Sequence, residues 1–397
     1  MDEFLSHDWA GFVIAGAVIL IGLAIGRLRR VRYLGMAIWV LGGFMVLGAC
    51  IHEIKVAAMA RQFPPPGKLV DIGGFRMHVL AEGSNKGNPT IIFIPGSHSP
   101  GYALDHLHRA FRQETRSILF DRAGAGWSDP GPFPRRTLQE VEELHRALQG
   151  AGEKGPFLLV GHSYGGLLAV NYAFRHPEDV AGLVLLDATH PDYFVYSPAD
   201  FVSKTVFLAR CMGIAQLFGI NLNGLVYGKA YTSSEVYRAI ARELGAVFEI
   251  DVALESQAKS LFATASLFTE IQTLPLTPIL VRDGDLGNLP IELAFGSGPS
   301  CGGGIHDPCP AVFDGPRKQF LQSTGLTELD FRRQNDMMGI ISSKYSRISS
   351  NSVTRFAPPG TSHNFLYEAP EFTIQVIHEE LARIAAARGA PTVDHPR

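Results

Sequence analysis

A serine with a glycine two residues to either side, in FLLVGHSYGGLLAVNYAF over residues 157–174, is the stretch best suited to covalent chemistry. Phe157, Leu158, Leu159 and Val160 read as a buried strand, Gly161 to Gly166 as a turn, and Leu167 onward resumes with helical spacing. This order lifts Ser163 out of the sheet on a strained bend, and the glycines are needed because side chains there would collide with the neighbouring strand and helix. A serine so placed attacks a carbonyl carbon once a base takes its proton, and that base must be a histidine held near neutrality. Fourteen histidines are available. His162, on the strand side of the turn, is expected to point away and pack.

The elements that must position these groups follow from composition and periodicity. A net charge of −3 gives no reason to expect nucleic acid as a partner. Residues 10–26 and 33–51 carry no charge and read as two transmembrane helices; about 20 apolar residues cross a bilayer, so the second run is long enough and the first slightly short. Arg27, Arg29, Arg30 and Arg32 lie between the runs, and Asp2, Glu3 and Asp8 precede them, which favours a cytoplasmic loop and an extracytoplasmic catalytic domain. Two other readings compete: Leu47-Gly48-Ala49-Cys50 looks like a lipobox that would make Cys50 lipidated, and the runs could be buried core helices. Residues 1–62 thus form a membrane anchor, and the prolines of QFPPPGK a stiff extended spacer.

Beyond the spacer, LVDIGGFRMHVLAEG reads as a hairpin, residues 89–101 and 117–132 as strands running into small-residue loops, and TLQEVEELHRALQGAG as an amphipathic helix ending on Gly150. A strand over residues 181–186 ends at Asp187, several helices fill 193–273, and PLTPILVRDGD over 275–285 reads as a return to the core. A helix at ELDFRRQNDMMGIISSKY, a last strand VTRFAPPG and a closing helix FTIQVIHEELARIAAA complete the chain, with residues 388–397 as a tail.

With its strand and helix in place, Gly161-His162-Ser163-Tyr164-Gly165 resembles the nucleophile elbow of the α/β-hydrolase superfamily. DATHPD at residues 187–192 looks like a membrane-anchored serine hydrolase or esterase subgroup. The resemblance covers roughly residues 68–385 and implies an α/β fold: a mostly parallel sheet of about eight strands in a core of residues 63–192 and 274–387, with a helical cap at 193–273. It implies the chain order Ser, Asp, His, which points to His363, directly after the last strand, with His98 in reserve. Asp187 is favoured as the acid over Asp285, because Gly287 occupies the usual position after Gly284. The backbone N–H groups of Ser97 and Tyr164 would form the oxyanion hole. Asp121, Gly124, Gly126, Ser128 and Asp129 match a loop pattern of such hydrolases, with Arg122 and Trp127 as rim groups.

The resemblance implies an ester hydrolase working through an acyl-enzyme, without metal or cofactor, on a small-molecule or lipid-like acyl substrate. Peptidase, thioesterase, C–C hydrolase and perhydrolase chemistry share the triad, and a non-catalytic membrane-tethered binding protein is an alternative from another class. Epoxide hydrolases and dehalogenases on this fold use an aspartate nucleophile, so Ser163 argues against both. Cys301 and Cys309 flank CGGGIHDPC and could pair in an oxidising compartment.

Overall fold

The computed structural model describes residues 1–97, 99–191, 201–222, 235–271, 283–296 and 342–389. Cys301, Cys309, His98 and most of the helix expected over 328–345 lie outside these residues. So does 275–282.

The chain opens with a short helix α1 (Asp2–Leu5), then α2 (Ala10–Gly26) and α3 (Arg32–Gln62), which pair as a hairpin. Glycines allow the close approach: side chains on Gly22, Gly35 and Gly42 would run into Trp39, Gly26 and Ile19 of the opposite helix. Leu20, Phe44 and Leu47 are exposed, and the most apolar window of α3 is 17 % buried, the opposite of a core helix. The helix α3 is long and apolar enough to cross a membrane; α2, at 17 residues, is shorter. The expected end of the second apolar run at residue 51 is not the end of its helix. HEIKVAAMARQ is charged but contains no glycine or proline, so the helix continues to Gln62 and stops before Pro64.

The spacer also departs from expectation. It is pinned to the core, with the Gly67 N–H donating to His78 Nε2 at 3.2 Å and Trp127 Nε1 donating to the Phe63 carbonyl at 2.8 Å.

The core is an eight-stranded sheet: β1 (Lys68–Asp71), β2 (Arg76–Glu82), β3 (Thr90–Ile94), β4 (Ser117–Phe120), β5 (Phe157–His162), β6 (Val180–Leu186), β7 (Ile291–Phe295) and β8 (Ser352–Phe356). Spatial order is β1-β2-β4-β3-β5-β6-β7-β8, antiparallel for β1-β2 and β2-β4 and parallel elsewhere. Parallel strands need covering on both faces, which is why β3, β4 and β5 are continuous apolar runs. The helices α5 (Thr137–Ala151) and α6 (Tyr164–Arg175) pack on one face; α4 (Asp105–Phe111) and the last two helices, α11 (Phe365–Glu368) and α12 (Pro370–Gly389), cover the other. The helix α5 runs one residue past Gly150, and Gly152 takes the left-handed C-cap at φ 84°.

Between β6 and β7 the described residues of the cap are helical: α7 (Phe201–Gln216), α8 (Glu235–Leu244), α9 (Phe248–Glu255) and α10 (Ala258–Ile271). Of the return strand expected at 275–285 only residues 283–285 are described, and they are not strand. Residues 283–288 form turns, and the core strand is IELAF. Glu292 disguises it, a fully buried carboxylate where a strand pattern calls for an apolar residue. Arg355 and Arg383 neutralise it, the latter at 3.0 Å, and Arg383 also bonds Glu380 at 2.7 Å and the Asn351 carbonyl at 2.5 Å.

Removing one partner from a buried ion cluster leaves an uncompensated charge, at about 3–5 kcal/mol. Arg383→Met is therefore expected to lower the melting temperature of the full-length chain by roughly 6–15 °C. A circular-dichroism melt coinciding with wild type would contradict this account of β7.

Candidate active site

The bend after β5 is strained as its glycines require. Ser163 sits at φ 54°, ψ −125°, a region that non-glycine residues rarely occupy. Three backbone bonds hold it: Ser163 N–H donates to the Leu186 carbonyl at 3.0 Å, and the Ser163 carbonyl accepts from Gly166 and Thr189, each at 2.9 Å. A β-carbon on Gly161 would strike the Gly165 carbonyl, one on Gly165 the Ile94 carbonyl at the exit of β3, and one on Gly166 the Ala188 side chain. The serine is thus wedged between the ends of β3 and β6.

The β3 exit loop passes directly beside it. A β-carbon on Gly96 would lie 3.6 Å from Ser163 Cβ and 4.0 Å from Oγ, which brings the Gly96–Ser97 peptide next to the nucleophile. Tyr164, whose N–H follows the serine, is buried, and its hydroxyl donates to Thr137 Oγ1 at 3.0 Å.

Asp187 directly follows β6, at φ 46°, with its N–H donating to the Ala294 carbonyl of β7 at 2.7 Å. Its Oδ2 meets His363 Nδ1 at 2.7 Å. The His363 loop follows β8 and is shaped by Glu368, which accepts from Ser362 N–H at 2.5 Å and from Ser362 Oγ at 3.0 Å. Although densely surrounded, the His363 side chain keeps 45 % of its surface exposed. Burial disfavours its imidazolium, but the hydrogen bond and charge of Asp187, with a smaller contribution from Glu368, outweigh this and hold the ring above its ordinary value.

Several expectations are corrected by this geometry. His162 does not point away: its ring lies 4.7 Å from that of His363, and its Nε2 bonds the His363 carbonyl at 3.1 Å. Alternation along β5 explains the contact, since Leu158, Val160 and His162 share the face covered by α11 and α12. Asp285 belongs to the turns before β7, at the far end of the sheet from Ser163, and a five-residue strand separates the two ends by roughly 17 Å. It is not placed to orient His363. Arg122 is no rim group: it is buried, its Nη2 donates to the Gly96 carbonyl, and its guanidinium lies 5.2 Å from the centre of the Tyr164 ring. Trp127 packs 4.8 Å from His78 and holds Phe63, so it secures the spacer. Asp121 does shape its loop, accepting from Gly101 N–H at 2.6 Å and Trp127 N–H at 2.9 Å.

Residues 91–376 match the model of the Alpha/beta hydrolase family. The chain belongs to this family. Among curated relatives, it is 25 % identical over 246 residues to the uncharacterized protein YbdG of Bacillus subtilis, covering 58 % of this chain and 73 % of that one. It is 28 % identical over 214 residues to the cis-3-alkyl-4-alkyloxetan-2-one decarboxylase of Xanthomonas campestris, covering 52 % and 67 %. Epoxide hydrolase 3 of Xenopus tropicalis is 32 % identical over 142 residues, 34 % of this chain and 38 % of that enzyme. A solved esterase from Thermogutta terrifontis shares the fold at TM-score 0.52 and 16 % identity, over 80 % of this chain and 98 % of the esterase. The protein is a hydrolase with epoxide hydrolases among its curated relatives.

One group of described residues in the hydrolase has the makeup of a metal site, His145, His176 and Asp179. The two imidazoles are stacked face to face, 3.8 Å apart and 4° from parallel. A metal lies in the plane of each ring it binds, so these stacked rings would have to turn apart before both could share one ion. The group also lies toward the end of α6 remote from Ser163.

The contact of Gly165 with the Ile94 carbonyl is backbone against backbone, which no rotamer change relieves. Gly165→Ala is expected to cost roughly 1–3 kcal/mol of stability and to slow any reaction at Ser163. A variant that melts and reacts like wild type would show that the elbow has slack.

Proposed function

We propose that this hydrolase cleaves a carboxylic ester through an acyl-enzyme formed on Ser163. Support comes chiefly from the 2.7 Å bond between His363 Nδ1 and Asp187 Oδ2. A carboxylate accepts, so this bond puts the proton on Nδ1 and leaves Nε2 as the basic nitrogen. Nε2 takes the Ser163 proton as Oγ bonds to the carbonyl carbon, and the N–H groups of Ser97 and Tyr164 receive the oxyanion. Collapse of the tetrahedral intermediate expels the alcohol, which takes the proton back from Nε2. Water, activated by the same nitrogen, then releases the acid and restores Ser163. The serine at the elbow favours this reading over the aspartate chemistry of epoxide hydrolases on the fold.

In the same reading α2 and α3 anchor the enzyme in a membrane, with Arg27, Arg29, Arg30 and Arg32 on the cytoplasmic side and the catalytic domain outside. The hairpin meets the cap at its domain-side end. Arg210 of α7 pairs with Asp2 at 2.7 Å, Lys55 bonds the Gly219 carbonyl at 2.7 Å, and Gly11 and Gly48 lie against Leu217 and Phe218. Phe207 and Ile220, 70 % and 53 % exposed, flank this junction. A cap seated at the bilayer surface suits a lipid-like acyl substrate.

A fluorophosphonate probe should label Ser163 in wild type and nothing in Ser163→Ala, and the same variant should lose hydrolysis of short p-nitrophenyl esters. Failure to label wild type would favour a binding protein. Because His363 must be neutral to act and is held above its ordinary value of about 6.5, kcat/KM should rise with pH through a midpoint above that value. Asp187→Asn removes the larger of the two influences raising it and leaves that of Glu368, so the midpoint should move to lower pH while kcat falls by about 10⁴-fold. Asp285→Asn should change neither, and equal effects of the two variants would overturn the assignment of the acid.

A further inference from the structure

The two N–H groups proposed to receive the oxyanion come from different parts of the chain, and one buried side chain touches both neighbourhoods. The carbonyl of Gly96 and the N–H of Ser97 belong to a single planar peptide unit, and in a trans peptide they point in opposite directions. Whatever fixes the carbonyl therefore aims the N–H. Arg122 Nη2 donates to the Gly96 carbonyl, whose other described partner is the Ser99 N–H at a long 3.4 Å. The same guanidinium lies over the ring of Tyr164, at 5.2 Å from its centre, so it also braces the residue carrying the second donor.

Arg122 is held in this position from behind. Its Nη1 faces Glu140 Oε2 at 3.9 Å; Glu140 also faces Arg135 Nε at 3.4 Å, and Arg135 is paired with Glu143. All four side chains are buried, and two positive charges balance two negative ones. A guanidinium is a planar fork of donors whose orientation survives such packing, which a lysine ammonium cannot reproduce. Its positive charge on the carbonyl side of a peptide also withdraws electron density from that unit and strengthens the N–H on the other side as a donor.

We propose that Arg122 is a positioning residue for the oxyanion hole, setting the direction and donor strength of the Ser97 N–H through the Gly96 carbonyl and seating Tyr164 beneath it. This rests on the ester hydrolase reading. A group acting this way stabilises the transition state and contributes little to substrate binding. A group serving only to neutralise Glu140 would affect stability instead.

The experiment compares wild type with Arg122→Gln, each as the full chain in detergent, using a p-nitrophenyl ester and a phenylboronic acid, whose serine adduct is tetrahedral and anionic. Loss of a whole oxyanion donor costs about 10²–10³ in kcat, so loss of its alignment is expected to lower kcat by roughly tenfold to a hundredfold, with KM within about twofold. The boronate affinity should fall by a similar factor. A folded Arg122→Gln variant with kcat and boronate affinity within twofold of wild type overturns the proposal, whatever its melting temperature. If that variant does not fold, Arg122→Lys, which keeps the charge against Glu140, is read in the same way, with a loss of about fivefold or more in both quantities expected and no loss overturning it. Wild type that neither reacts with a fluorophosphonate nor binds the boronate refutes the ester hydrolase reading itself, and the role of Arg122 falls with it.

Discussion

The site depends on one uncomfortable residue. Ser163 is held at a positive φ by hydrogen bonds to Leu186, Gly166 and Thr189, and the backbone around it is packed so closely that three glycines have no room for a β-carbon. Strain of this kind persists only where the surroundings over-determine it. Here they consist of the C-terminal ends of β3 and β6, flanking β5 on either side, so the parallel sheet both creates the bend and confines it. The residues proposed to carry the chemistry, Ser97, Ser163, Tyr164, Asp187 and His363, lie at that same end, on the segments that follow β3, β5, β6 and β8.

Much of this was legible in the sequence because it rests on local rules. The elbow is announced by glycines around a serine between an apolar run and a helical one, and the hairpin of β1 and β2 by Gly73 and Gly74. His363 is recognisable by its place after the last strand. The remainder depended on contacts between distant residues. The strand β7 hides behind Glu292, whose charge is cancelled by arginines about sixty and ninety residues later, and no window of local sequence carries that information. With β7 displaced, Asp285 looked as though it followed a strand that it in fact precedes. Arg122 was misjudged for a related reason: an arginine in a loop is exposed by default, and its burial becomes intelligible only with Glu140 and the Gly96 carbonyl in view.

Cap and core are joined by polar contacts as well as apolar ones. Thr137 accepts from the Tyr164 hydroxyl and donates to Glu270 of α10 at 3.0 Å, while Ser266 of the same helix receives the Arg135 N–H at 2.8 Å. On the other side Gln257 bonds the Gly126 carbonyl at 3.1 Å and Lys259 that of Ser128 at 2.6 Å. These bonds fix α10 against the loops that frame the elbow, so the described part of the cap is an extension of the core.

The unbroken course of α3 has a mechanical meaning. A helix that runs from its apolar stretch to Gln62, and is gripped at Lys55 and just beyond its end by Trp127, behaves as a mast and not as a rope. Each residue added to such a helix turns what it carries by about 100° and lifts it by about 1.5 Å. For a domain mounted this way, compass heading and altitude above any surface that α3 penetrates are set by the residue count between Arg32 and Gln62. The mouth of the site then faces one way, as a lamp does on its post.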